Sequence, residues 1–76
     1  MTMDASSKRF LKKFGLRIRQ LRESKKWTLE DAEEHGGPSW THLQRIEAGK
    51  KNVNLTTVIR LSKLYKITIS DLFSSL

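Results

Sequence analysis

The sequence contains no cysteine, which excludes disulfide bonds and thiolate metal ligands. Because such a chain has no need of an oxidising compartment, we expect a cytoplasmic protein. Long apolar runs are also missing, since none exceeds two residues, as in Phe10-Leu11 and Val58-Ile59. A membrane-spanning helix needs about 20 apolar residues, and a signal peptide needs an apolar core of at least about 7. The sequence therefore predicts neither.

Signals of catalysis are equally scarce. The two histidines, His35 and His42, lie on either side of a predicted turn and lack the spacing of a zinc-binding HExxH helix. Gly36-Gly37 is followed by Pro38, which indicates a turn rather than a glycine-rich phosphate loop. The serines fall mostly at helix starts and in the tails, without the glycines that frame a catalytic serine. We therefore expect no enzymatic activity, no metal ion and no cofactor.

Positive charge, in contrast, is abundant. Fifteen Lys and Arg against eight Asp and Glu give a net charge of +7 over 76 residues. Residues 28–35 depart from this pattern, because they carry four acids and no Lys or Arg. A basic field attracts polyanions such as DNA, RNA or an anionic membrane surface. Composition alone fits a basic surface that only serves solubility equally well, so charge by itself leaves the partner open.

Hydrophobic spacing predicts one all-α domain of five short helices. Residues 1–7 have no periodic pattern and are interpreted as a disordered lead-in to a domain over residues 8–76. Helix 1 spans residues 8–24, and helix 3 spans about residues 40–48 and ends at Gly49. The predicted N-caps are Ser7, Thr28, Ser39, Asn54 and either Thr68 or Ser70. The residues expected to face the core, besides Trp27, are Phe10, Phe14, Ile18 and Leu21 in helix 1, Leu43 and Ile46 in helix 3, and Leu55, Val58, Leu61, Leu64 and Tyr65 in helix 4.

Helices 2 and 3 fit a known motif. Two short helices joined by a glycine-containing turn, the second rich in polar side chains, describe a helix-turn-helix. A family resemblance is carried by the segments "RIRQLRESKKWTLED", "SWTHLQRIEAGKKN" and "LTTVIRLSKLYKITISDLF". Over about residues 14–74, these resemble the phage Cro and repressor type of helix-turn-helix, the Xre family. The resemblance implies a compact five-helix bundle of the lambda-repressor type, which binds double-stranded operator DNA as a homodimer on an inverted repeat and regulates transcription.

The resemblance also implies roles for individual residues, with helix 3, about residues 39–48, in the major groove. Base contacts are expected from Ser39, Trp40, Thr41, Gln44 and Arg45, since Gln suits adenine and Arg suits guanine. Backbone contacts are expected from Thr28, His42, Lys50, Lys51 and Asn52. Two of these residues keep a second interpretation: Trp40 equally suits packing against Leu43, and His42 nearly equally suits a surface position without a role.

Structural roles follow from the same resemblance. Arg22 is expected to form an ion pair with Glu47, which ties helix 1 to the end of helix 3. The residues themselves support this pair, because Glu47 is the only acid between Gly36 and Lys66 and would repel phosphate if unpaired. The dimer interface is expected on helices 4 and 5, because the apolar residues of helix 5 exceed what a short terminal helix buries alone. They are Ile69, Leu72, Phe73 and Leu76.

Helix 2 departs from the family pattern. A gap-free alignment places Glu33 where the family has a small alanine packed against helix 3. A second register uses Ala32 and Gly36 instead, with Gly37 as an added turn residue, and is preferred because Leu29 then shares their face.

The acids of helix 2 should point away from phosphate, and they motivate an alternative function as a protein-interaction or antitoxin-like adaptor on the same fold. Binding of single-stranded RNA is a weaker third hypothesis, because only Trp40 looks available to stack on bases.

Overall fold

The computed structural model describes residues 4–74 and 76 of the chain. The helices of this part are α1 (Ala5–Ser24), α2 (Leu29–Glu34), α3 (Trp40–Glu47), α4 (Leu55–Leu64) and α5 (Ile69–Phe73). No strand occurs among these described residues. The predicted all-α bundle of five helices is therefore confirmed.

Four helices begin at a predicted cap. The N-caps of α2 to α5 are Thr28, Ser39, Asn54 and Thr68, and each side-chain oxygen accepts a backbone N–H three residues further on. Thr28 also forms a reciprocal capping box, because the Asp31 carboxylate accepts the Thr28 backbone N–H at 2.9 Å. The local chemistry of these caps decides where each helix starts.

The first helix begins earlier than predicted. Its N-cap is Asp4 rather than Ser7, because Asp4 Oδ1 accepts the Ser7 backbone N–H at 2.7 Å and so places Ser7 inside the first turn. The same hydrogen bond is the main reason why the pKa of Asp4 lies below its usual value. The prediction of a disordered lead-in is therefore wrong for residues 5–7, and residues 1–3 lie outside the described part of the chain.

The first four helices end in the same kind of turn, in which one residue takes a positive φ and N–H groups beyond the helix donate to carbonyls of its last turn. Gly36 (φ 105°) and Gly49 (φ 71°) occupy this position after α2 and α3. Lys26 (φ 60°) and Lys66 (φ 54°) occupy it after α1 and α4. Only the two helices of the helix-turn-helix thus end on glycine, the residue that adopts this backbone without steric penalty.

All five helices contribute to the core. Its buried residues are Phe14, Ile18, Ala32, Leu43, Ile46, Val58, Leu61, Tyr65 and Leu72. Two residues predicted to face inward do not, since Leu55 is 69% exposed and Phe10 is 46% exposed. Leu55 is the first residue of α4 and lies beyond the edge of the core, whereas Phe10 covers the Phe73 ring from outside. Trp27 is partly buried and stacks on His35 with the ring centroids 4.2 Å apart.

The turn between α2 and α3 follows neither alignment completely. Ala32 is fully buried and Glu33 is exposed, as the preferred register predicts. The inward position predicted for Gly36 is wrong, because α2 ends before it and a Cβ at Gly36 would meet nothing within 4 Å. Gly37 is the packed glycine, since a Cβ there would lie 2.8 Å from both the Ala32 carbonyl oxygen and Leu64 Cδ2.

Candidate nucleic-acid interface

The outer face of α3 carries the residues predicted to read bases. Leu43 and Ile46 are 0% and 1% exposed, so they fix the side of the helix that faces the core. At about 100° per residue, the opposite side is an arc of about 140° that carries Trp40, Thr41, Gln44 and Arg45. These side chains and the N-cap Ser39 are exposed. Because Trp40 remains 43% exposed, it lies outside the core and belongs to this outer face.

The C-terminal end of α3 lies directly against the backbone of α1 at Gly15. A Cβ at Gly15 would lie 2.6 Å from the Glu47 carbonyl oxygen and closer still to that of Ile46. Sequence reasoning overlooked this residue, although an isolated glycine within a helical pattern is a signal of close packing. Gly15 therefore allows α1 to pack against α3 without an intervening side chain.

Arg22 and Glu47 join the same two helices. Arg22 Nε donates to Glu47 Oε2 at 2.8 Å and Nη2 donates to Oε1 at 3.0 Å, which gives the two-pronged geometry typical of strong Arg–carboxylate pairs. The third arm of the guanidinium, Nη1, donates to the Trp27 carbonyl oxygen at 2.7 Å. The Glu47 hydrogen bonds raise the pKa of Arg22 against the opposing effect of burial. The negative charge of Glu47 is thereby neutralised within an otherwise basic stretch.

Tyr65 packs beside this ion pair and is 5% exposed. Burial is the main cause that raises the pKa of its hydroxyl to about 12, and the charge of Glu47 adds to it. Tyr65 therefore remains neutral at physiological pH next to the pair.

The N-terminal end of α3 is held by a residue of α2 that sequence reasoning did not assign. Glu33 Oε1 accepts the Trp40 backbone N–H at 2.7 Å, so its carboxylate sits at the start of α3. An acid is favoured there by the helix dipole. The expectation that all acids of helix 2 point away from phosphate does not hold for Glu33, because this hydrogen bond turns it toward the start of the proposed recognition helix.

Thr28, a predicted phosphate contact, is already hydrogen-bonded to Asp31 in two ways. Its hydroxyl oxygen accepts the Asp31 N–H at 3.0 Å, while its own N–H donates to the Asp31 carboxylate. These bonds with Thr28 lower the pKa of Asp31, which is ionised at neutral pH. Thr28 therefore retains only its hydroxyl hydrogen for a phosphate, next to a carboxylate.

The loop after α3 places a basic group beside the recognition face. Lys50, Lys51 and Asn52 are exposed and follow Gly49 directly. A cleft lined by Gln44, Arg45, Ala48 and Lys50 connects the loop with the outer face of α3. Gln44 and Arg45, which are predicted to read bases, thus share one cleft with Lys50, which is predicted to contact the DNA backbone.

His42 lies at the border of this surface and is half-buried. Burial is the main cause that lowers its pKa, followed by the positive charges of Lys51 and Arg60. These effects favour the neutral imidazole in the protein without DNA.

The predicted dimer residues divide into two groups. Leu72 is 0% exposed and belongs to the core, so its assignment to the interface is wrong. Ile69 is 39% exposed, whereas Phe73 and Leu76 are half-buried. The Phe73 ring stacks on Phe14 with the centroids 5.2 Å apart and on Phe10 with the centroids 6.0 Å apart. Leu72 is therefore a core residue, Phe73 and Leu76 pack against the core while partly accessible, and Ile69 is the most exposed of the four.

Within residues 4–74 and 76, the structure contains neither a metal-binding cluster nor a membrane-spanning helix. No group of three or more His, Asp or Glu side chains is arranged to hold a metal ion there. None of the helices in the same part of the chain is long and apolar enough to cross a membrane.

Comparison with known proteins supports a helix-turn-helix domain. A family model for helix-turn-helix domains matches residues 18–72, more than two thirds of the chain. The chain therefore belongs to this helix-turn-helix family, the Xre-like or Cro and repressor type, and its general function is DNA binding and transcription regulation. Neither the curated proteins nor the solved structures contain a significant match.

Proposed function

We propose that this chain is a sequence-specific transcription regulator that binds an inverted-repeat operator as a homodimer, with α3 in the major groove. The observation that carries the proposal is the exposed face of α3 opposite the buried Leu43 and Ile46. The major groove admits one α-helix and displays a different donor and acceptor pattern for each base pair. Gln44 and Arg45 supply the amide and guanidinium groups that pair with adenine and guanine.

The backbone contacts surround this helix. Lys50 and Lys51 are exposed cations that meet phosphates at the edge of the half-site, and the Asn52 amide adds a neutral donor. Thr28 and His42 complete the set with a hydroxyl and an imidazole. Phosphate contacts fix the register of the protein on the duplex, whereas α3 supplies the choice of sequence.

The exposed apolar side chains of α4 and α5 supply the surface for a homodimer. On α5, Ile69 is exposed and Phe73 lies one turn further on, while Leu76 follows the helix and is half-buried. On α4, Leu55 and Ile59 are 69% and 39% exposed and lie one turn apart. Apolar side chains grouped in this way mark interaction surfaces. A two-fold dimer reads two half-sites about one helical turn apart.

Selection of binding sites from random duplex DNA tests the proposal. The expected result is an inverted repeat with half-site centres about one helical turn apart, together with an affinity that falls steeply with salt. A selection without enrichment over bulk DNA would overturn sequence-specific regulation. Sedimentation equilibrium at high micromolar concentration and on DNA tests the homodimer separately, and a monomer under both conditions would exclude it.

Variants of the interface separate base from backbone contacts. Arg45→Ala should relax the preference at one defined base pair by about 1–3 kcal/mol, because the bidentate contact is lost. Lys50→Ala should instead weaken binding to all duplexes alike. Repeating the selection with each variant and comparing the enriched sites measures this difference. A broad loss in Arg45→Ala without a change in preference would contradict base readout by this residue.

The acidic surface of α2 supports the alternative of a protein-interaction or antitoxin-like adaptor. Glu30 and Glu34 are exposed, and they carry charge opposite to that of most of the chain. If no duplex is enriched, binding of a basic partner protein to this surface becomes the function to test, with Glu30→Gln and Glu34→Gln as the variants.

A further inference from the structure

One basic residue of α1 touches the loop that follows α3. Gly49 lies so close to Lys12 that a Cβ on Gly49 would come within 2.8 Å of both the Cα and the Cγ of Lys12. The Lys12 side chain is exposed and starts at this contact. Since Lys50 and Lys51 follow Gly49 directly, two separate elements place three exposed lysines near the C-terminal end of α3.

Lys8 extends this cluster by one helical turn. The early start of α1, with Asp4 as its cap, holds Lys8 in regular helix. Residues four apart share a helix face, so the exposed Lys8 lies beside Lys12, about 6 Å further along the axis. Asp4 continues the same row, and its carboxylate is engaged by the Ser7 N–H.

Lys13, the next residue in the sequence, lies on a different side of α1 from Lys12. Lys13 is also exposed, but it lines two clefts on the side of α1 that faces Leu76. The other residues of these clefts include Phe10 and Leu16, and none belongs to α3 or its loop. Lys12 and Lys13 therefore carry the same charge on the same helix, while only Lys12 adjoins the recognition surface.

We propose that Lys8 and Lys12 bind the phosphodiester backbone of duplex DNA just outside the half-site that α3 reads, as a continuation of Lys50 and Lys51. This inference rests on the proposed function. Duplex DNA carries one negative charge per about 1.7 Å of its axis, so a row of cations that extends from the groove-reading helix meets further phosphates. Both lysines precede residues 18–72, the segment that the family model matches, so they extend the interface beyond the shared domain.

Lys12→Ala and Lys13→Ala form a matched pair, because each removes one positive charge from an exposed position of α1. Affinity for the selected operator, on a duplex that extends beyond both half-sites, should be measured between about 50 and 200 mM salt. Each lost phosphate contact makes the negative slope of log affinity against log salt shallower by about 0.9. Because a homodimer carries two copies of the substitution, Lys12→Ala should make the slope shallower by about 1.8, so that its deficit relative to wild type is about 12-fold larger at the lower salt. Lys13→Ala should keep the wild-type slope.

The length of the duplex gives a second test. Removing the base pairs outside the half-sites should weaken wild-type binding, whereas the Lys8→Ala, Lys12→Ala double variant should bind the short and long duplexes alike. Lys12→Gln, which keeps most of the side-chain stem against Gly49, should repeat the slope change if Lys12→Ala disturbs the fold. Thermal unfolding of each variant monitors the fold.

Two results would overturn the inference. Equal slope changes in Lys12→Ala and Lys13→Ala would mean that the bases of α1 act only by long-range attraction. Unchanged slopes in both variants, or double-variant binding that depends on duplex length as wild-type binding does, would mean that Lys8 and Lys12 touch no phosphate. Failure of the proposed function is distinguishable, because it would appear earlier as the absence of any enriched duplex.

Discussion

The two ends of α3 are attached to the bundle in different ways. At the C-terminal end, the backbone lies against Gly15, and Glu47 pairs with Arg22 through side chains that are only 7% and 12% exposed. At the N-terminal end, the attachment to α2 includes an exposed hydrogen bond of 2.7 Å from the Trp40 N–H to Glu33. One end is held by a buried ion pair and close backbone contact, and the other relies on polar contacts open to water.

The two ends of α3 should therefore have different effects on the protein. Buried contacts are insensitive to salt, so the C-terminal end sets where α3 lies on the bundle. Exposed charged contacts are weak and screened, so the N-terminal end responds to the charges that approach it. The proposed base-reading residues start at this exposed end, where Ser39 and Trp40 enter the helix. The comparison therefore predicts large effects on stability at one end of α3 and effects mainly on DNA binding at the other.

The largest effect is expected from Glu47→Ala. Removing this carboxylate leaves the Arg22 guanidinium without its partner in a mostly buried position, which should lower the free energy of unfolding by about 3 kcal/mol. Urea denaturation measures the change. Glu23→Ala is the matched control, since Glu23 pairs with Arg19 at 3.2 Å through side chains that are 53% and 57% exposed. That variant should lose less than about 0.5 kcal/mol, and equal losses would refute the distinction between buried and exposed attachment.

A smaller but still clear effect is expected from Gly15→Ala. The added methyl group meets the carbonyl oxygens of Ile46 and Glu47, so α1 and α3 must move apart. We expect a loss of about 2 kcal/mol in the free energy of unfolding, typical of overpacking. At an unobstructed helix position the same change would stabilise the protein by up to about 1 kcal/mol. The sign of the measured change therefore shows whether α1 and α3 are in close contact at Gly15. Gln20→Ala, at an exposed position of α1, should change stability by less than about 0.5 kcal/mol.

Glu33→Gln tests the exposed end. Glutamine keeps an acceptor for the Trp40 N–H but removes a negative charge from the start of α3, so stability should change by less than about 1 kcal/mol. Affinity for the selected operator should increase at low salt, because a carboxylate near the approaching phosphates is gone. Titrations at several salt concentrations measure this gain. Glu30→Gln removes the same charge elsewhere on α2, and an equal gain there would show that the position of Glu33 is unimportant.

The smallest effect is expected from pH. The pKa of His42 is lowered from about 6.5 in the folded protein, first by burial and then by Lys51 and Arg60. The unfolded chain therefore binds this proton more readily, and the free energy of unfolding should fall as the pH decreases below about 6.5. Above that pH this contribution is fully present. Urea denaturation from about pH 5 to 8 measures it, and His42→Gln should flatten the profile. An unchanged profile in that variant would assign the pH dependence to other groups.

Much of the fold was predictable because it depends on local chemistry. Thr28, Ser39 and Asn54 cap their helices through hydrogen bonds to N–H groups three residues away, and sequence spacing suffices to find them. The start of α1 was missed because Asp4 and Ser7 both suit a cap and the apolar pattern begins only after Ser7. Gly15 was missed because hydrophobic periodicity treats a glycine as neutral, although its place inside a helix pattern was informative.

The sequence by itself determined the number and order of the helices, most of their starts, and the outward face of α3, because short-range hydrogen bonds and the 3.6-residue period settle these. Only the tertiary structure decided that Gly37 rather than Gly36 is packed, that Leu72 belongs to the core, and that Lys12 adjoins Gly49. Those outcomes depend on how close the helices come where they cross. Such separations are set by contacts between residues far apart in the chain, which no local pattern encodes.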